Sequence, residues 1–170
     1  MDFDFIHYKP LKQAQKPKLA ILLHGYAVNG YVMGKMAAIM QEVIPALEVM
    51  ALHANERTPH PKIQPVPKTL AMPHKYIDEN GMLKADGQRQ WFSVKGPFHT
   101  WRGRIRHAAF GMEDFIQKQV ENRGINFEDV ALCGFSQGGA LALYTGFLMK
   151  EKLGAAVSHS APFLGDIKPM

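Results

Sequence analysis

A serine hydroxyl attacks a carbonyl carbon only when it stands clear of the backbone and a base receives its proton. The stretch Gly134-Phe135-Ser136-Gln137-Gly138 has the residue types and spacing for the first condition. It has the form G-x-S-x-G, with the short apolar run Val130 to Cys133 before it and the small-residue pattern Gly139 to Tyr144 after it. That context reads as strand, sharp turn, helix. The two glycines permit such a turn because neither has a Cβ to collide with the neighbouring strand or helix. The turn would present Ser136 Oγ as a nucleophile at the carboxyl edge of a sheet. It would also leave the Gln137 backbone N–H free at a helix N-terminus, where negative charge is stabilised. In other surroundings the same five letters are an ordinary glycine-rich turn.

The elements that must position this turn read as one alternating α/β domain over residues 1–170, enough chain for a sizeable core. Asp2 to Tyr8 alternates loosely and is expected as an opening edge strand. Lys18 to Leu23 is a continuous apolar run, the pattern of a strand buried on both faces, and it ends in His24-Gly25. A helical pattern follows from Tyr31 to Ile44, with Asn29 as its expected cap and Pro45 as its stop. Leu47 to Leu52 is a second buried strand. Residues 56–97 form a proline-rich, lid-like excursion that ends near Trp91 and Phe92. A helix from about Thr100 to Asn122, closed by Gly124, places Trp101, Ile105, Ala108, Ala109, Met112, Phe115 and Ile116 on one face. The turn strand and its helix come next, then a last strand at Gly154 to Ser158. This alternation implies a mostly parallel sheet with helices on both faces and a site beyond the carboxyl ends of its strands.

Composition narrows the partners. The hydrophobic fraction of 46% and charged fraction of 21% are those of an ordinary globular chain. No run approaches a membrane span, so no integral membrane segment is expected. The single cysteine, Cys133, points to a reducing, cytoplasmic setting. The net charge of +5 invites a nucleic-acid reading. However, the densest basic cluster, Arg102, Arg104 and Arg106, falls off the apolar face of its helix and reads as solvated surface. No zinc knuckle, P-loop or aromatic RNA-binding motif supports a nucleic-acid partner, and no metal is expected because His53/His60 and His99/His107 lack compact ligand spacing; no cofactor is expected either.

In order along the chain, Leu22-Leu-His-Gly25, Leu52-His-Ala54, Arg89-Gln-Trp-Phe92 and Gly134-Phe-Ser-Gln-Gly-Gly-Ala-Leu-Ala-Leu-Tyr144 resemble the α/β-hydrolase superfamily. Within it they resemble the phospholipase/carboxylesterase family, which includes bacterial carboxylesterases and acyl-protein thioesterases. The resemblance implies that Ser136 is the nucleophile and that the backbone N–H groups of Tyr26 and Gln137 form the oxyanion hole. Gly25, Gly134 and Gly138 are then the motif glycines, and His24 supports the hole without reaching Ser136. The implied substrates are small or lipid-like carboxylic esters and thioesters, cleaved through an acyl-enzyme.

The family pattern also places a triad Asp and His after the nucleophile, on loops following two further strands. Thirty-four residues follow Ser136, whereas two more strands with their helices need about 50–60 more. The last strands are therefore expected to be lacking, and the chain to be a shortened form that self-associates or pairs with a complementary C-terminal segment. His159, with Asp166 seven residues on, is the weak substitute for the missing pair. The alternative is a catalytically inactive, degenerate hydrolase fold acting at most as a binding module.

Overall fold

Leu19 to Leu23 and Val49 to Leu52 are almost fully excluded from solvent, so the middle of the sheet consists of the two longest apolar runs. The computed structural model describes residues 2–161. Its main sheet contains β1 (Phe5–Tyr8), β2 (Lys18–Leu23), β3 (Leu47–Leu52), β6 (Val130–Phe135) and β7 (Ala155–His159), in the spatial order β1-β3-β2-β6-β7. Only β1 is antiparallel, and it lies at one edge. A separate two-stranded ribbon pairs β4 (Glu56–Arg57) with β5 (Arg89–Gln90).

The period-two alternation of β2 sorts its side chains between two cores. Leu19, Ile21 and Leu23 face α2 (Trp101–Arg123) and α3 (Gln137–Leu148), together with Met50, Leu52 and Leu132. Ala20 and Leu22 face the other way with Val49 and Ala51, under Ala37 of α1 (Gly34–Val43) and Met33 just before it. Helices thus cover both faces, as the alternation implies. The small residues Ala20, Ala51 and Ala37 allow α1 to approach closely, and the larger side chains fill the α2–α3 side.

Local signals set most boundaries. Asn29 Oδ1 accepts the Tyr31 N–H and caps a short 3-10 turn, Gly30–Met33, that runs into α1. Gly124 adopts the left-handed conformation with φ 60° and ends α2, satisfying the expectation for that position. Ile105, Ala109, Met112, Phe115 and Ile116 are buried on the face that their spacing indicates. The Arg123 guanidinium forks onto the Glu48 carboxylate (Nη2–Oε1 2.6 Å, Nε–Oε2 3.1 Å) and ties the end of α2 to β3.

Residues 56–97, expected as a lid-like excursion, contain β4, β5 and two 3-10 turns, and the buried Gln88 amide bonds the Lys62 N–H, the Lys62 carbonyl and the Leu83 carbonyl. One expectation needs revision: the basic cluster on α2 is not uniformly solvated surface. Arg104 folds back to donate to the carbonyls of Ser93 (2.9 Å) and Lys95 (2.5 Å), pinning the end of the excursion to the helix.

The edges of the sheet are less well covered than its centre. Val157 of β7 and Phe135 of β6 are each nearly half exposed, and Phe147 of α3 is more exposed still. Cys133 and Val157 are register partners on the α1 side, where α1 covers β2 and β3 instead.

The fully buried Ile116 belongs to the larger core that α2 and α3 form with the sheet. Ile116→Ala should therefore destabilise the fold by about 2–5 kcal/mol, read as a lower urea midpoint at unchanged slope.

Candidate active site

Ser136 is the link between β6 and α3, and its backbone (φ 51°, ψ −118°) lies where a residue with a Cβ is strained. Such a conformation costs on the order of 1–3 kcal/mol and persists only where its surroundings enforce it. The enforcement here is close packing. A Cβ on Gly134 would lie 2.2 Å from the Gly138 carbonyl oxygen, and one on Gly138 would lie 2.5 Å from the carbonyl oxygens of Leu23 and His24. Both motif glycines are therefore required by contact, and the second brings the first turn of α3 against the end of β2.

That contact joins the elbow to the loop after β2. A Cβ on Gly25 would stand 3.5 Å from Ser136 Cβ, so the glycine of the His24-Gly25-Tyr26 loop lies directly beside the serine. Among the described residues, neither the Tyr26 nor the Gln137 backbone N–H has an acceptor. The Gln137 N–H belongs to the first turn of α3, where helical geometry leaves it without a partner. The Ser136 N–H is different: it donates to the His159 carbonyl at 2.8 Å, extending the β6–β7 ladder past the strand end.

The Gln137 side chain has a role that the motif alone does not reveal. It is buried, its Oε1 accepts the Trp91 N–H at 2.9 Å, and its Nε2 donates to the Phe92 carbonyl at 2.8 Å. The two partners fix which end of the amide is oxygen. Trp91 also reaches the other loop, its indole N–H donating to the His24 carbonyl at 2.7 Å. Two residues earlier, at the start of β5, Arg89 exchanges two backbone bonds of 2.9 Å with the loop, its carbonyl accepting the Ala27 N–H and its N–H donating to the Val28 carbonyl. Residues 89–92 thus hold both loops that flank Ser136. Trp91 and Phe92, only 5% and 3% exposed, are core residues and anchors at once. The one available signal was the recurrence of Arg-Gln-Trp-Phe in the resemblance; spacing contained none.

His24 is fully buried, and both its ring nitrogens are engaged away from Ser136. Nε2 accepts the Ala54 N–H at 3.1 Å, so the proton resides on Nδ1, which donates to the Gly25 carbonyl at 2.7 Å. Burial drives its pKa from 6.5 to about 3, opposed by the Gly25 bond and reinforced by the charges of His53 and Arg89. A neutral imidazole with no free nitrogen supports the loop and cannot serve as the serine's base. His159 stacks its ring on Phe135 (centroids 5.5 Å apart) and places Nδ1 2.9 Å from Ser160 Oγ. Its main chain meets Ser136, but its ring is exposed and engaged elsewhere. Among the described residues, no imidazole nitrogen or carboxylate forms a hydrogen bond with Ser136 Oγ. Asp166 lies outside the described residues. Cys133, in the strand before the elbow, is half-buried, and burial raises its thiol pKa.

A parallel-centred sheet with a strained serine turn at its carboxyl edge defines an α/β-hydrolase-type fold. The match is closer than the fold alone. The phospholipase/carboxylesterase family model matches residues 10–168, and the chain belongs to that family. It is 31% identical over 98 residues to acyl-protein thioesterase 1 of Neurospora crassa, covering 54% of this chain and 39% of that protein. Over a shorter stretch of 49 residues it is 49% identical to acyl-protein thioesterase 1 homolog 2 of Dictyostelium discoideum, covering 29% of this chain and 22% of that one. Among solved structures, esterase PE8 superposes with a TM-score of 0.67 at 20% identity, over 90% of this chain and 61% of that one. A carboxylesterase from Mesorhizobium loti gives 0.57 at 17% identity, over 87% and 56%. The chain therefore spans well under half the length of these two curated relatives and about three-fifths of these two structures.

The neutrality of His24 has a measurable consequence. The unfolded chain takes up this proton near pH 6.5, but the folded chain does so only near pH 3. The contribution to stability is thus complete above pH 6.5 and is lost as pH falls through that window, at up to about 1.4 kcal/mol per pH unit. In a histidine NMR titration from pH 8 to 4, the His24 ring should hold its neutral signature in the folded protein. A His24 midpoint near 6 would overturn the assignment.

Proposed function

We propose that this chain carries the nucleophile half of a serine hydrolase acting on small or lipid-like carboxylic esters and thioesters. The observation that carries the reading is the strained Ser136 turn beside Gly25, with the Tyr26 and Gln137 N–H groups unpaired among the described residues. Membership of the phospholipase/carboxylesterase family supports the substrate class. The Neurospora relative's name, an acyl-protein thioesterase, supports including thioesters.

In the proposed reaction Ser136 Oγ attacks the carbonyl carbon while its proton passes to a base. The carbonyl oxygen becomes an oxyanion held by the two N–H groups, each typically contributing about 3–4 kcal/mol to the transition state. Collapse breaks the bond to the alcohol or thiol, which leaves with the proton. Water then cleaves the acyl-serine by the same route, releasing the acid. The proton acceptor has no counterpart beside Ser136 Oγ among the described residues. That observation favours a second reading, a hydrolase fold with at most the residual catalysis of binding and oxyanion stabilisation, roughly 10³–10⁴-fold over water.

The half-exposed Phe135, Val157 and Phe147 beside β7 support a partner for this edge, either a complementary C-terminal segment or a second copy. The lone half-buried cysteine supports a reducing, cytoplasmic setting.

A fluorophosphonate probe distinguishes the two readings. An activated serine should label at Ser136, confirmed by mass spectrometry, and Ser136→Ala should abolish labelling together with hydrolysis of short p-nitrophenyl esters. A chain that is folded by circular dichroism yet unlabelled would rule out the catalytic reading for this form. Sedimentation velocity tests the edge: association is expected, and Val157→Lys should shift the population toward monomer. A monodisperse monomer of the unaltered chain would refute pairing between copies.

A further inference from the structure

A cavity of about 360 Å³ opens at the same sheet edge as Ser136, at the carboxyl end of β3, two strands away from β6. Its lining is mainly polar and includes Asp4, Tyr31, His53, Asn55, Tyr76 and Arg89. Neither the Ser136 turn nor either N–H group beside it contributes to this lining.

The charge in this cavity is poorly compensated. The Arg89 side chain is half-buried, and among the described residues its guanidinium makes no hydrogen bond or ion pair. A guanidinium withdrawn from water without an acceptor is costly, and its planar fork fits a two-oxygen anion. Its backbone is rigid, paired on one side with Arg57 in the ribbon and on the other with Ala27 and Val28. Only the side chain has freedom to meet a ligand.

His53 provides the second donor. Its Nδ1 accepts the Gly30 N–H at 3.2 Å, which leaves Nε2 to carry the proton of the neutral ring. Tyr31 packs against that ring at 5.1 Å between centroids, with Tyr76 next at 5.8 Å from Tyr31, so the imidazole is held in place. Burial keeps its pKa below the ordinary value, opposed by Asp4 and reinforced by Arg89 and Lys75. The charged groups around the ring are therefore two cations and one acid. The acid, Asp4, is exposed, while Arg89 is half-buried.

We propose that this cavity binds a small oxyanion, a carboxylate or a phosphate group, through the Arg89 guanidinium with the His53 Nε2–H as second donor. Asp4 opposes the anion and weakens its binding. The site stands independently of the hydrolase reading, because none of its groups contacts Ser136.

The test is a binding measurement on the folded full chain, with no activity readout. Inorganic phosphate and sodium acetate are titrated separately at constant ionic strength, following the Arg89 Nε–H and His53 ring nitrogen signals by NMR. Saturable shifts of both signals are expected with at least one probe, and the tighter probe identifies the group. Arg89→Gln, checked by circular dichroism, should weaken that binding at least about tenfold, whereas Arg89→Lys should lose less. Asp4→Asn, at an exposed position, should tighten it. The absence of saturable shifts with both probes would overturn the site, as would unchanged affinity in a folded Arg89→Gln protein. If Arg89→Gln does not fold, Asp4→Asn decides: tighter binding supports the site, and unchanged or weaker binding refutes it.

Discussion

The buried side-chain amide of Gln137 is the interaction on which the rest of the site depends. Its oxygen and nitrogen are both consumed by the Trp91–Phe92 backbone, so the residue following the nucleophile is fixed by a segment 45 residues earlier in the chain. A buried amide left without partners costs about 1–3 kcal/mol, so the turn and the segment must form together. The Trp91 indole then extends the same fixing to the His24 carbonyl, and Arg89 extends it to Ala27 and Val28. The strain at Ser136 is tolerable because the parts around it are fastened to one strand.

This arrangement explains why residues 56–97 can be long and proline-rich without loosening the site. The backbone bonds to the loops beside Ser136 come from the exit of the excursion, which is buried and hydrogen-bonded. The middle portion is tied in as well, with Lys62 bonded to the Gln88 amide and its ammonium 5.5 Å from the Tyr26 ring centroid. The same economy gives Arg89 two separate faces, with its backbone committed to the loop and its guanidinium left to the cavity beside His53.

The centre and the edges of the sheet differ in physical state. β2 and β3 are buried and the Glu48–Arg123 pair ties β3 to α2, whereas Phe5 of the edge strand β1 is 42% exposed. Toward β7 the register continues to His159, yet Phe135 and Val157 are left nearly half exposed. The nucleophile lies at the boundary between them. The Gln137 amide fastens it to Trp91 and Phe92, while the Ser136 N–H bond to the His159 carbonyl and the close approach of Gly139 to Ser158 tie it to β7.

The sequence by itself determined the elements and their order. Apolar runs, a cap at Asn29, a left-handed stop at Gly124 and a glycine-flanked serine are local statements, and local periodicity and φ preference decide them. The family was legible for the same reason, since the motifs are short and contiguous. Tertiary structure alone decided what each polar group does. The direction of the His24 nitrogens, the capture of the Gln137 amide by Trp91 and Phe92, and the return of Arg104 to Ser93 all join residues distant in sequence. No spacing rule links position 24 to 54 or 91 to 137. Those pairings follow from which strands become neighbours, and that is settled only when both cores close.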